Sequence, residues 1–272
     1  MSEPDRRTRA FVTGASVPEN YQRRLAPVIF EPWAEALLEA APVAPGGRVL
    51  DVASGTGVVA RLAARRAGPS GRVVASDVSA PMLEFAASIP DAEGSAPIER
   101  VVAPATELPG EEGAFDVVLC QQGLPFFTDR PGAAREMRRV LRPGGAAAVS
   151  VWAAGRRLEP FDDYAGALQD AELTEPFPNA FENASFVMSA EDVEALLRGA
   201  GFAHVEVAER VLVLEWPDTE AATAGILGTP FGPVVQSLAP EQRRAVEEQL
   251  RRRFEAEGPV RRTSVAVIGV GA

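Results

Sequence analysis

VLDVASGTGVVA, residues 49–60, sets a β-branched run, an acid, two glycines and the start of an apolar helix within one short stretch. Gly55-Thr56-Gly57-Val58-Val59-Ala60 matches the G-x-G-x-x-G/A loop, in which small residues let the backbone approach a ligand at a helix N-terminus. Asp77 follows about 20 residues on, where a carboxylate at the end of the next strand can accept both hydroxyls of a ribose. Alone the glycines are a weak signal, since a tight strand-to-helix turn without a ligand also calls for them. The first acid sharpens it. Asp51 closes its strand beside the place where a dinucleotide would put its pyrophosphate, and a carboxylate there repels that group while attracting an ammonium.

Outward from the loop, short β-branched runs alternate with helical stretches, the pattern of a parallel sheet covered on both faces. Arg48 to Val52 reads as the first strand, Val58 to Arg66 as a helix, Val73 to Ser76 as a strand and Pro81 to Ala87 as a helix with proline in its first turn. Ile98 to Val102 and Phe115 to Cys120 are further strands, the second apolar enough to be central. A helix from Pro131 to Leu141 is expected to stop at Arg142-Pro143-Gly144-Gly145, where proline cannot continue it and glycine can turn the chain. Ala146 to Trp152 is the fifth strand. Residues 153–188 carry no strand signal; Ala190 to Gly199 then reads as a helix, Val205 to Trp216 as a long strand, 217–258 as a helical insertion and Thr263 to Val270 as a closing strand. Trp33 and Leu37, one helical turn apart, belong to a buried face.

Composition removes several chemistries. All 27 basic residues are arginine, so a lysine Schiff base and the lysine-bearing phosphate loop are excluded. A net charge of -11 disfavours nucleic acid as a partner. One cysteine and one histidine leave too few soft ligands for a typical zinc site, and no metal is expected. No apolar run reaches the ~18 residues of a membrane span, and the Arg-rich N-terminus lacks a secretory segment, so a cytoplasmic protein with no membrane partner is expected.

Val49 to Gly57, with Val74-Ala75-Ser76-Asp77-Val78-Ser79 and Met82, resembles the first two motifs of the class I S-adenosylmethionine-dependent methyltransferases. Ala105 to Pro109, Phe115 to Cys120 and Leu141 to Gly145 resemble their later landmarks, in order, over residues 45–152. The likeness is to the small-molecule branch, similar to quinone-biosynthesis and natural-product enzymes. It implies an α/β fold: a Rossmann-like, doubly wound, seven-stranded sheet with an antiparallel last strand and a helical cap. Residues 1–272 would form a single methyltransferase domain, with 45–152, 189–216 and 259–272 as its core. Residues 1–40, 153–188 and 217–258 would be the lid segments.

The resemblance also implies roles. S-adenosylmethionine is the cofactor, with Ala53, Ser54, Gly55, Thr56 and Gly57 along its aminoacyl part and Asp51 holding the ammonium. Asp77 takes the ribose hydroxyls; Val78 and Met82 flank the adenine, and Ala105 and Thr106 face its edge. Gln121 and Gln122 sit under the methionine part near the methyl group. Two positions depart from the family pattern: Ala53 replaces a frequent glycine, which is tolerable at negative φ, and Pro104 stands where many relatives carry an aspartate.

The acceptor is expected to be a small molecule, methylated on oxygen, nitrogen or carbon, with Tyr21, Phe126, Phe127 and Trp152 as candidate contacts and Asp129, Asp162 and Asp163 as candidate acids. No catalytic residue is assigned. His204 and Cys120 read as structural, and the lack of an evident base favours acidic phenols, carboxylates, amines or activated carbons. Nothing demands a partner protein, and a homodimer is left open. The other readings are a cofactor-binding cyclase, decarboxylase or regulator, and an NAD-dependent oxidoreductase.

Overall fold

The structure is a computed structural model that describes residues 17–173, 186–229 and 231–272. Its strands are β1 (Arg48–Val52), β2 (Arg72–Asp77), β3 (Ile98–Val102), β4 (Phe115–Gln121), β5 (Leu141–Ala153), β6 (Val187–Met188), β7 (Val205–Trp216) and β8 (Val260–Gly271). They form one sheet in the order β3-β2-β1-β4-β5-β8-β7, and the two-residue β6 pairs with β5 off that path. β1 through β5 pair in parallel, whereas β8 runs antiparallel to β5. The expected seven-stranded Rossmann-like sheet is therefore present, with β6 as an addition.

Central strands read as near-continuous apolar runs because both faces are covered. Val49, Leu50, Val118 and Leu119 lose essentially all exposure. The helix Val58–Ala67 turns Val59, Ala60, Ala63, Ala64 and Ala67 inward, and its small residues let it lie close on the sheet. Gly68 ends it at φ 66, a left-handed conformation that glycine adopts without penalty.

The expected turn at Arg142-Pro143-Gly144-Gly145 is a correction. The helix Arg130–Val140 ends one residue early, and β5 starts at Leu141. Leu141 pairs with Phe115, the register shifts, and Ala146 pairs with Val117, so the four residues make an irregularity inside the strand. Two features cause it. Gly144 takes φ 74. Gly145 lies so close to β4 that a Cβ there would come within 2.8 Å of the Asp116 carbonyl.

The chain divides into two compact units. One comprises Trp33–Ala154, Phe186–Arg210 and Ala266–Ala272, and holds the glycine loop. The other comprises Met1–Pro32, Gly155–Ser185 and Val211–Val265. Within the latter, Tyr164 is fully buried; its hydroxyl donates to the Ala222 carbonyl at 3.0 Å and its ring meets Phe254 edge-on at 5.6 Å. Asp163 is buried between Arg157 and Arg262, at 2.9 and 2.8 Å. It is thus held as an ion pair. Asp162 accepts from the Leu158 N–H at 2.8 Å. Among the described residues, no helix is long and apolar enough to cross a membrane.

Candidate functional site

Asp51 and Asp77 stand near the C-terminal ends of adjacent parallel strands, where ligands of open α/β sheets bind. Asp51 is 1% exposed, and one carboxylate oxygen accepts from the Ala60 N–H at 2.9 Å, tying β1 to the first turn of the helix Val58–Ala67. Burial pushes its carboxyl well above the usual range; the Ala60 N–H opposes this, Asp77 adds to it and Arg61 opposes it again. Asp77 accepts from Gly55 N–H and Ser79 N–H, each at 2.8 Å. Burial raises its carboxyl also, against the pull of those amides. Two acids made costly by burial form a place where a cation is welcome, which fits the ammonium of S-adenosylmethionine.

The loop between them leaves room for that ligand. Gly55 has φ 54, and a Cβ built there would meet nothing within 4 Å. Gly57 has φ 81 and precedes the helix; its N–H donates to the Ser54 carbonyl at 2.8 Å. Arg61 donates to the Thr56 carbonyl at 2.6 Å and pins the outer limb of the loop. Gly55→Ala is expected to lower stability by roughly 1–2 kcal/mol, the cost of forcing a side chain into left-handed backbone, and to weaken nucleoside binding by placing a methyl in the open space. Thermal melts and calorimetry of the variant check both.

Ala53 contradicts its expected negative φ. It sits at φ 56, in left-handed backbone. Its Cβ lies close to Gly123, where an added Cβ would come within 2.7 Å of it, so the backbone leaving β4 passes tightly by this turn. Gln122, just past β4, is the second strained residue, also at φ 56. Its N–H donates to the Ser150 carbonyl of β5 at 2.8 Å. Nothing in the residue types signals either conformation.

The adenine-side candidates lie at neighbouring strand ends. Val78 is 60% exposed after β2, whereas Met82 is buried on the helix Ala80–Ser88. Ala105 is half-buried and Thr106 exposed, in a turn after β3. Gln121 ends β4, half-buried. Phe126 and Phe127 are half-buried in the next loop, where Phe126 meets Phe186 edge-on at 5.4 Å. That loop is braced by Arg130, which donates to the carbonyls of Leu124 and Pro125 at 3.2 and 2.7 Å. Asp129 caps the helix Arg130–Val140 by accepting from Gly132 N–H at 2.7 Å.

Trp152 is buried edge-on against Trp33 at 5.9 Å. Tyr21 belongs to the other unit, where it stacks on Phe30 at 4.6 Å. Burial pushes the Cys120 thiol up to about 12, so it stays protonated. His204 exchanges backbone hydrogen bonds with Ala272, just past the end of β8 that lies against the start of β5, at the edge opposite the glycine loop.

Residues 49–145 match a family described as methyltransferase domain. The chain is 41% identical over 114 residues to the ubiquinone/menaquinone biosynthesis C-methyltransferase of Hahella chejuensis, a match that covers 42% of this chain and 46% of that protein. It thus spans under half the length of that relative. To the nocamycin O-methyltransferase of Saccharothrix syringae it is 29% identical over 252 residues, 86% of this chain and 88% of that one. The fold is shared with phosphoethanolamine N-methyltransferase 2 of Haemonchus contortus, solved with phosphomonomethylethanolamine and S-adenosylhomocysteine. That likeness has a TM-score of 0.62 at 18% identity and covers 100% of this chain and 60% of that one. Over residues 49–145 the chain is thus similar to methyltransferase domains, and its fold is one that solved methyltransferases share.

Proposed function

We propose that the chain transfers a methyl group from S-adenosylmethionine to a small-molecule acceptor, a quinone-like compound or a secondary metabolite. One observation carries the reading: two carboxylates at neighbouring strand ends, Asp51 buried and Asp77 half-buried, flank an open glycine loop. Asp51 holds the ammonium, Asp77 the ribose hydroxyls, and Val78 and Met82 flank the adenine, with Ala105 and Thr106 at its edge. Ala53 to Gly57 line the aminoacyl part. Phe126, Phe127 and Trp152 are the acceptor-side residues. A cytoplasmic setting belongs to the same proposal, as does the absence of a nucleic-acid partner, the latter supported by the net charge of -11.

The bound cofactor supplies an electrophilic methyl on a sulfonium. The chain's own part is to bind, orient and exclude water, and orientation alone can contribute about 7–11 kcal/mol. No general base is assigned, since the single histidine lies at the far edge of the sheet. An acceptor that ionises readily needs none.

Calorimetry with S-adenosylmethionine, S-adenosylhomocysteine and NAD, followed by an assay for S-adenosylhomocysteine release over phenols, acids and amines, tests the reading. Binding of the first two but not NAD, with release on some acceptor, is expected. Preference for NAD would overturn it, and tight binding without release from any acceptor would replace it with a non-methylating enzyme or a regulator.

A further inference from the structure

Gln122 is 8% exposed, yet neither its Oε1 nor its Nε2 finds a hydrogen-bond partner among the described residues. A buried primary amide left unpaired is destabilising, because it gives up its hydrogen bonds to water and gets none in return. Left-handed backbone at a residue other than glycine adds to that cost. Both expenses fall on one residue, at the strand end beside the glycine loop, and an apolar side chain would avoid the first of them. Such strain persists where the site, not the fold, needs the group.

The surroundings narrow what completes the amide. On the far side of Gly123 come the half-buried rings of Phe126 and Phe127, on a loop fixed by Arg130. These suit a flat, largely apolar body. The cation-seeking part of the site is already supplied by Asp51 and Asp77. A neutral amide presents a donor and an acceptor side by side, so it complements a neutral edge carrying the opposite pair.

We propose that Gln122 reads the methyl acceptor rather than the cofactor, and selects a planar molecule that carries a carbonyl directly beside an N–H or O–H. Nε2 donates to that carbonyl, and Oε1 accepts from its neighbour. The inference rests on the methyltransferase reading above, and it moves Gln122 from the methionine side of the site to the acceptor side.

Two ligands of the same shape test it: 4-hydroxyquinolin-2-one, with N–H beside its carbonyl, and 4-hydroxycoumarin, with a ring oxygen there instead. Calorimetry on wild type and Gln122→Met, each saturated with S-adenosylhomocysteine, reads the amide directly. Wild type should bind the quinolinone about ten- to hundredfold more tightly, the range one unmet buried hydrogen bond represents. In Gln122→Met that preference should vanish, with S-adenosylhomocysteine affinity within twofold of wild type and an unchanged or higher Tm without ligand.

Equal binding of the two ligands by wild type, or binding of neither, overturns the proposal. So does a preference that survives in Gln122→Met. A loss of S-adenosylhomocysteine affinity in the variant would return the amide to the cofactor, and a lower Tm would make it structural. Failure of wild type to bind S-adenosylhomocysteine at all would instead sink the underlying methyltransferase reading.

Discussion

Asp77→Ala is expected to weaken S-adenosylmethionine binding at least about 100-fold, because two charge-assisted hydrogen bonds to ribose hydroxyls, at about 1.5–3 kcal/mol each, disappear together. The loop loses its anchor as well, since the Gly55 and Ser79 amides both donate to this carboxylate. Asp77→Asn keeps one acceptor oxygen and should fall between the two. Calorimetry on the three proteins gives the order. Affinity in the alanine variant within a few-fold of wild type would remove Asp77 from the ligand and with it the nucleoside reading of the loop.

Asp51→Asn should separate stability from function. Its carboxyl titrates above the usual range in the folded chain because burial disfavours the charge. The folded state therefore holds a proton to higher pH than the unfolded state does, and stability drains away as pH rises from the ordinary carboxylate range through the folded value. Asparagine carries no charge and can still accept from the Ala60 N–H. The variant should melt higher than wild type at pH 8, each kcal/mol gained showing as roughly 2–4 °C, and the advantage should vanish in acid.

Binding should move the opposite way in that variant. An ammonium beside Asp51 favours the ionised carboxylate, so wild type should release protons on binding S-adenosylmethionine, visible as a heat that depends on the ionisation enthalpy of the buffer. Asp51→Asn should bind more than about tenfold more weakly, with no such dependence from this group. A variant that is both less stable and equally tight would refute the electrostatic account.

Most of the sheet could be read from residue types, since its signals are local. β1, β3 and β7 fall where alternating runs of β-branched residues place them, and the glycine loop announces itself. What escaped depended on distant packing. The close approach of Gly123 to Ala53 joins two loops far apart in the chain, and the left-handed φ of Ala53 runs against what alanine by itself argues for. The glycines after Pro143 looked like a turn because glycine serves both turns and close approach; only the backbone of β4 decides which. Asp163 resembled a free acid until Arg262, from β8, closed on it. The unpaired amide of Gln122 could not be foreseen, because glutamine in a sequence says nothing of whether its partners are supplied by the chain.

The last strand lies inside the sheet, between β5 and β7, rather than at its rim. While a ribosome is still making the chain, β5 thus keeps its β8-facing edge open, and β7 has no neighbour to dock on until residues 260–271 emerge. A product stalled before residue 260 would carry two bare edges ready to pair with another nascent chain, so emergence of β8 and protection from aggregation are, for this topology, the same event.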